Sequence, residues 1–182
     1  MAATANPCVT EDCLLLLLDR GNISITRDMF EKAAEADSRG RHLTKTLLLK
    51  YQDSLCVEDV LETAARNEES TEEMFEFLLT WEKDLMVAED VIVAAAGSSG
   101  GSMKALLDWG QPIQITEAVL KALASNERRQ TLPMMQLTLY YHRGLEITKE
   151  VMQAARGNKT VGPDLTRLLQ TYKLDQSYAT SN

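Results

Sequence analysis

The chain has 182 residues, enough for one ordinary domain with a real core, and its 45% hydrophobic content excludes wholesale disorder. A formal net charge of −8 argues against a binder of phosphate backbones, which needs a basic face, and suits a basic partner instead. No stretch approaches the roughly 20 apolar residues of a membrane span. Leu14–Leu18 follows Glu11 and Asp12, where a signal peptide would carry positive charge, so a cytoplasmic home is expected.

In chain order, residues 1–9 read as an N-terminal tail. Thr10–Gly21 reads as a single helix with the apolar run Leu14–Leu18, which is apolar around its whole circumference and needs cover on more than one side. A repeated phrase follows. Ile25–Ala34 recurs at Cys56–Ala65, Val87–Ala96, Ile115–Ala124 and Ile147–Arg156. A period of about 30 residues marks stacked units.

Each phrase has the chemistry of a helix start. Thr26, Thr116 and Thr148 are N-cap residues, whose hydroxyl can accept from an orphan backbone N–H, while Val57 and Ala88 hold the same position without a hydroxyl. Asp28, Glu117 and Glu150 place negative charge in the first turn, at the positive end of the helix dipole. The pairs Ile25–Phe30, Cys56–Leu61, Val87–Ile92, Ile115–Leu120 and Ile147–Met152 have hydrophobic-staple spacing. Small residues such as Ala64-Ala65 and Ala154-Ala155 let neighbouring helices approach. Asn67, Gly97, Asn126 and Gly157-Asn158 then end each helix, as residues that tolerate the left-handed conformation.

A second apolar run completes each unit: Leu43–Tyr51, Met74–Trp81, Met103–Trp109, Met134–Tyr141 and Leu165–Tyr172. Ser70 with Glu73 makes a capping box, and Gly110 and Gly144 close two of these helices. Ile113–Ile115 and Leu145–Ile147 read as linkers that carry the staple residue. Helices of about ten residues are marginal alone and must bury an apolar face against the next unit. The expected fold is all-α: a solenoid of about five helix-turn-helix repeats plus an N-terminal helix, over residues 10–174, with a flexible tail at 175–182.

The run Leu16-Leu17-Leu18-Asp19-Arg20-Gly21, with Ile115–Ala124 and Ile147–Asn158, resembles a short helical repeat of large fungal proteins. Those proteins often carry ankyrin-type repeats or a NACHT NTPase of the NLR-like kind. The resemblance implies an interaction or sensing surface and no reaction. The ankyrin Thr-Pro-Leu-His-x-Ala signature and any NACHT nucleotide motif are missing from the sequence.

Candidate sites are few. Trp81, Trp109, Tyr140, Tyr141 and Tyr172 all fall near the ends of second helices, where they either line a groove or close the core of each unit. Gly97, Gly100, Gly101 and Ser102 form a glycine-rich turn that could face an anion, with Lys104 nearby, but the turn lacks the Gly-Lys-Ser/Thr ending and follows a helix. Glu68-Glu69 with Glu72-Glu73, and Glu58-Asp59 with Glu62, read as a solvated acidic strip suited to a basic peptide.

His42 and His142 sit in different units and do not converge. Cys8, Cys13 and Cys56 are odd in number and lack zinc spacing, so no disulfide framework, metal or cofactor is expected. The sequons Asn22-Ile23-Ser24 and Asn158-Lys159-Thr160 are read as fortuitous. The expected function is a non-catalytic protein-interaction or sensing scaffold. The rivals are a binder or enzyme using the glycine-rich turn, and a structural or autoinhibitory piece of a larger receptor-like protein.

Overall fold

The computed structural model describes residues 57–66, 72–81, 85–98 and 101–179. The expectations for Leu14–Leu18, Thr26, His42, Asn67, Ser70 and the three cysteines lie outside these residues. The described helices are α1 (Val57–Arg66), α2 (Glu72–Trp81), α3 (Glu89–Gly97), α4 (Gly101–Asp108), α5 (Glu117–Ser125), α6 (Thr131–Tyr141), α7 (Lys149–Gly157) and α8 (Gly162–Ala179). Among the described residues there is no strand; Ile113–Ile115 and Leu145–Ile147 are linkers.

Each odd-numbered helix pairs with the next even-numbered one as a hairpin. The odd-numbered helices then pack in order, α1 on α3, α3 on α5 and α5 on α7. The even-numbered ones do the same, α2 on α4, α4 on α6 and α6 on α8. The two rows sandwich one core. Phe75, Leu61, Ile92, Met103, Leu106, Leu120, Leu123, Leu165 and Leu169 are almost fully buried in it. Burial of each such large side chain contributes about 2 kcal/mol. Ala64, Ala65, Ala95, Ala96, Ala124 and Ala155 are also buried, and their small size lets the odd-numbered helices pack closely.

The helix starts follow their residues. Thr116 Oγ1 accepts from the Val119 N–H at 3.4 Å, and Thr148 Oγ1 accepts from the Val151 N–H at 3.2 Å. Ala88 caps α3 with no side-chain bond. Val57 is already helical, one position earlier than a cap there would require. The staple residues Val87 and Ile92, Ile115 and Leu120, and Ile147 and Met152 all lie in the core or pack against it.

The helix ends need a correction. Gly110 and Gly144 take the left-handed conformation at φ 75° and 83°, as expected. Gly97 and Gly157, however, are helical, and Asn126 and Asn158 end α5 and α7 in extended backbone at φ −70° and −69°. These asparagines were expected to act through backbone tolerance; they act through their amides. Asn126 Nδ2 donates to Ala96 O at 3.1 Å and Ser98 O at 2.7 Å, at the end of the preceding odd-numbered helix. Asn158 Nδ2 donates to Ala124 O at 3.0 Å and Asn126 O at 2.8 Å. Their Oδ1 atoms accept from Arg128 N and from Thr160 N and Val161 N, which shapes the following turns. Side chains one repeat apart thus form a ladder across the stack.

α8 continues through Ala179, past the Leu174 boundary expected for the repeat domain. Gln176 Nε2 donates to Leu145 O at 3.1 Å, which gives that extension a tether.

Candidate functional site

The contacts between repeats define two edges. The asparagine bonds bring the C-terminal ends of α3, α5 and α7 side by side. Gly101 lies against Glu72, so the even-numbered helices start at that same edge: a Cβ at position 101 would come within 3.2 Å of the Glu72 backbone nitrogen. This is the ladder edge. At the opposite end, Thr116 at the start of α5 donates to Glu89 at the start of α3, and Tyr172 of α8 packs over the 142–147 linker. This linker edge gathers the ends of the even-numbered helices with the starts of the odd-numbered ones.

All five aromatic candidates fall at the linker edge, but in two environments. Trp81, Trp109 and Tyr172 are half-buried against the core. Trp81 also meets Phe77 edge-on, with ring centroids 5.5 Å apart. The Tyr172 hydroxyl accepts from Leu145 N at 3.2 Å and donates to His142 O at 3.3 Å, which fixes the linker between α6 and α7. Tyr140 and Tyr141 instead stand out at 69% and 51% exposure, as an edge-on pair with centroids 5.5 Å apart. Of the five, the two tyrosines of α6 are the most exposed.

The glycine-rich turn is divided. Gly97 ends α3, and Ser98 is buried with its hydroxyl donating to Ala95 O at 2.9 Å. Gly101 begins α4, and Ser102 is fully buried with its Oγ unpartnered. Gly100 lies outside the described residues. Lys104, the cation expected to serve an anion there, bridges Glu72 and, at 3.0 Å, Asp108. Those hydrogen bonds, Glu72 foremost, hold its pKa well above the usual lysine value.

Of the acidic candidates, Glu72 is paired in this way and Glu62 pairs with Arg66 at 2.6 Å. His142 sits half-buried in the linker after α6, and burial lowers its pKa. Among the described residues no group of His, Cys, Asp and Glu could hold a metal, and no helix is long and apolar enough to cross a membrane.

The asparagine ladder was missed at the sequence level, although the recurrence of Asn67, Asn126 and Asn158 at one repeat position was its signal. It also closes a question about the second sequon. Asn158 is buried, with its Nδ2 committed to two carbonyls, so a glycan there is incompatible with the folded chain.

No curated protein and no solved structure shows significant similarity to the chain. One family model, described only as a domain of unknown function (DUF7104), matches residues 57–74 and 106–129, two stretches that each contain an odd-numbered helix, α1 or α5, of a different hairpin.

Proposed function

We propose that the chain is an α-solenoid that serves as a non-catalytic scaffold for protein interaction or sensing. The carrying observation is the packing order: hairpins stack on their nearest neighbours through two rows, and the asparagine ladder fixes their register. Such an array builds its core from repeat contacts and leaves both edges for binding. The resemblance to repeat regions of NACHT and NLR-like proteins is part of this proposal, as is a basic peptide as partner.

Binding of an anion at the glycine-rich turn is the rival reading, and the buried, unpartnered Ser102 hydroxyl favours it. Lys104 weighs against it, because the neighbouring carboxylates of Glu72 and Asp108 already neutralise its charge.

Proximity labelling in the native cell, followed by reconstitution from purified components, tests the scaffold. The expected result is a stoichiometric complex with one protein, unchanged by Lys104→Gln. Failure to reconstitute any complex, together with thermal stabilisation by inorganic phosphate that Lys104→Gln abolishes, would replace the scaffold with the rival.

A further inference from the structure

Among the described residues, the large hydrophobic side chains that stand exposed are Met86, Tyr140, Tyr141 and Leu174. All of them lie at the linker edge. Met86 is in the linker between α2 and α3, the tyrosines end α6, and Leu174 lies where α8 runs past the 142–147 linker. The same edge carries exposed carboxylates at the starts of α3, α5 and α7, namely Glu89, Glu117 and Glu150. Glu146 and Asp175 flank the tyrosine end. Arg143, Lys149 and Lys173 are interspersed there, and the carboxylates outnumber them.

We infer that the linker edge docks an extended, arginine-containing peptide segment of a protein partner, with the Tyr140–Tyr141 pair as its anchor. The inference rests on the scaffold reading and assigns its site and partner chemistry.

Charge complementarity selects the occupant. A guanidinium can lie on a tyrosine face while it bonds a nearby carboxylate, and arginine does both better than lysine. Spacing selects its form. Packed helices stand about 10 Å apart, so Glu89 and Glu117, each the first residue of its helix, recur at that interval, with Glu150 one residue further into α7. An extended chain in the polyproline II conformation advances about 3.1 Å per residue and returns to the same face every third residue, so every third side chain meets the next carboxylate. Apolar residues between the arginines would cover Met86, the tyrosines and Leu174.

The test uses the full chain and a labelled peptide of Arg-Leu-Ser repeats, read by fluorescence anisotropy at two salt concentrations. The chain should bind this peptide and reject its Glu-Leu-Ser counterpart. Tyr140→Ser with Tyr141→Ser should weaken binding at least about tenfold, as loss of an anchoring pair does. Glu117→Gln with Glu150→Gln should weaken it several-fold and flatten its salt dependence. Arg129→Gln with Lys159→Gln, at the ladder edge, should change nothing. Circular dichroism keeps the test sound, since every substituted side chain is exposed and the helix signal should stay constant.

Absence of binding by the unaltered chain, equal binding of the acidic peptide, or indifference to the tyrosine substitutions would each overturn the inference. A cellular partner that cross-links at the ladder edge and ignores the tyrosine substitutions would also overturn it, yet leave the scaffold reading standing.

Discussion

At the ladder edge, polar side chains turn inward and the fold uses them. Asn126 and Asn158 bond carbonyls of the preceding repeat, Thr131 Oγ1 bonds Asn126 O at 2.6 Å, and Thr160 Oγ1 bonds Glu127 O at 2.8 Å. At the linker edge the polarity is reversed. Carboxylates face water, and tyrosines, a methionine and a leucine stand out with them. Both edges are made of helix termini with the same orphan backbone groups. Bonds between neighbouring hairpins occur at both edges, but the ladder edge makes them with a buried amide, whereas the Thr116–Glu89 bond of the linker edge is exposed.

The largest effect that would test this contrast is Asn158→Ala. It strands the buried carbonyl of Ala124, takes one of two donors from the carbonyl of Asn126 and removes the acceptor for two turn amides, so a loss of about 3 kcal/mol is expected in chemical denaturation. Asn158→Asp should not rescue, because a carboxylate cannot donate to carbonyls. A neutral outcome would make the ladder ornamental.

Caps come next. Thr148→Ala should cost about 1 kcal/mol, and Ala88→Ser should gain a similar amount by supplying the bond that α3 lacks, both read as shifts in melting temperature. Tyr140→Ser with Tyr141→Ser should change stability by no more than about 0.5 kcal/mol, as expected for exposed side chains away from structural contacts; a larger loss would place the tyrosines in the fold instead of on a binding edge.

The smallest effect concerns pH. Burial lowers the folded-state pKa of His142 below its unfolded value, so the unfolded chain takes up the proton first. Stability that is present above the ordinary imidazole range should therefore fall slightly as pH drops through it. His142→Gln should flatten that part of the profile.

Much of this was legible because it is local. A threonine followed by an acid, a staple pair five residues apart and a glycine after an apolar run each report on a single turn of chain. Thr116, Thr148, Gly110 and Gly144 behave as their neighbours in sequence imply. Asn126 and Asn158 do not, because their partners lie in the preceding repeat. Local reasoning gave them the commonest job of an asparagine after a helix, a left-handed cap, and long-range bonding overrode it.

The aromatic candidates divide for a related reason. Position at a helix end was readable, but which rings the next repeat would cover was not. Tyr172 reaches the linker before α7, whereas Tyr140 and Tyr141, among the described residues, pair with each other as rings.

Ser98 stands where Asn126 and Asn158 stand in later repeats, and it keeps its hydroxyl within its own helix, on Ala95 O. That gives the array a seam. Amide hydrogen exchange should find α3, α5 and α7 opening together as one cooperative block, with the α1–α3 junction yielding earlier and independently. Under force, the junction at Ser98 should part before the α3–α5 and α5–α7 junctions.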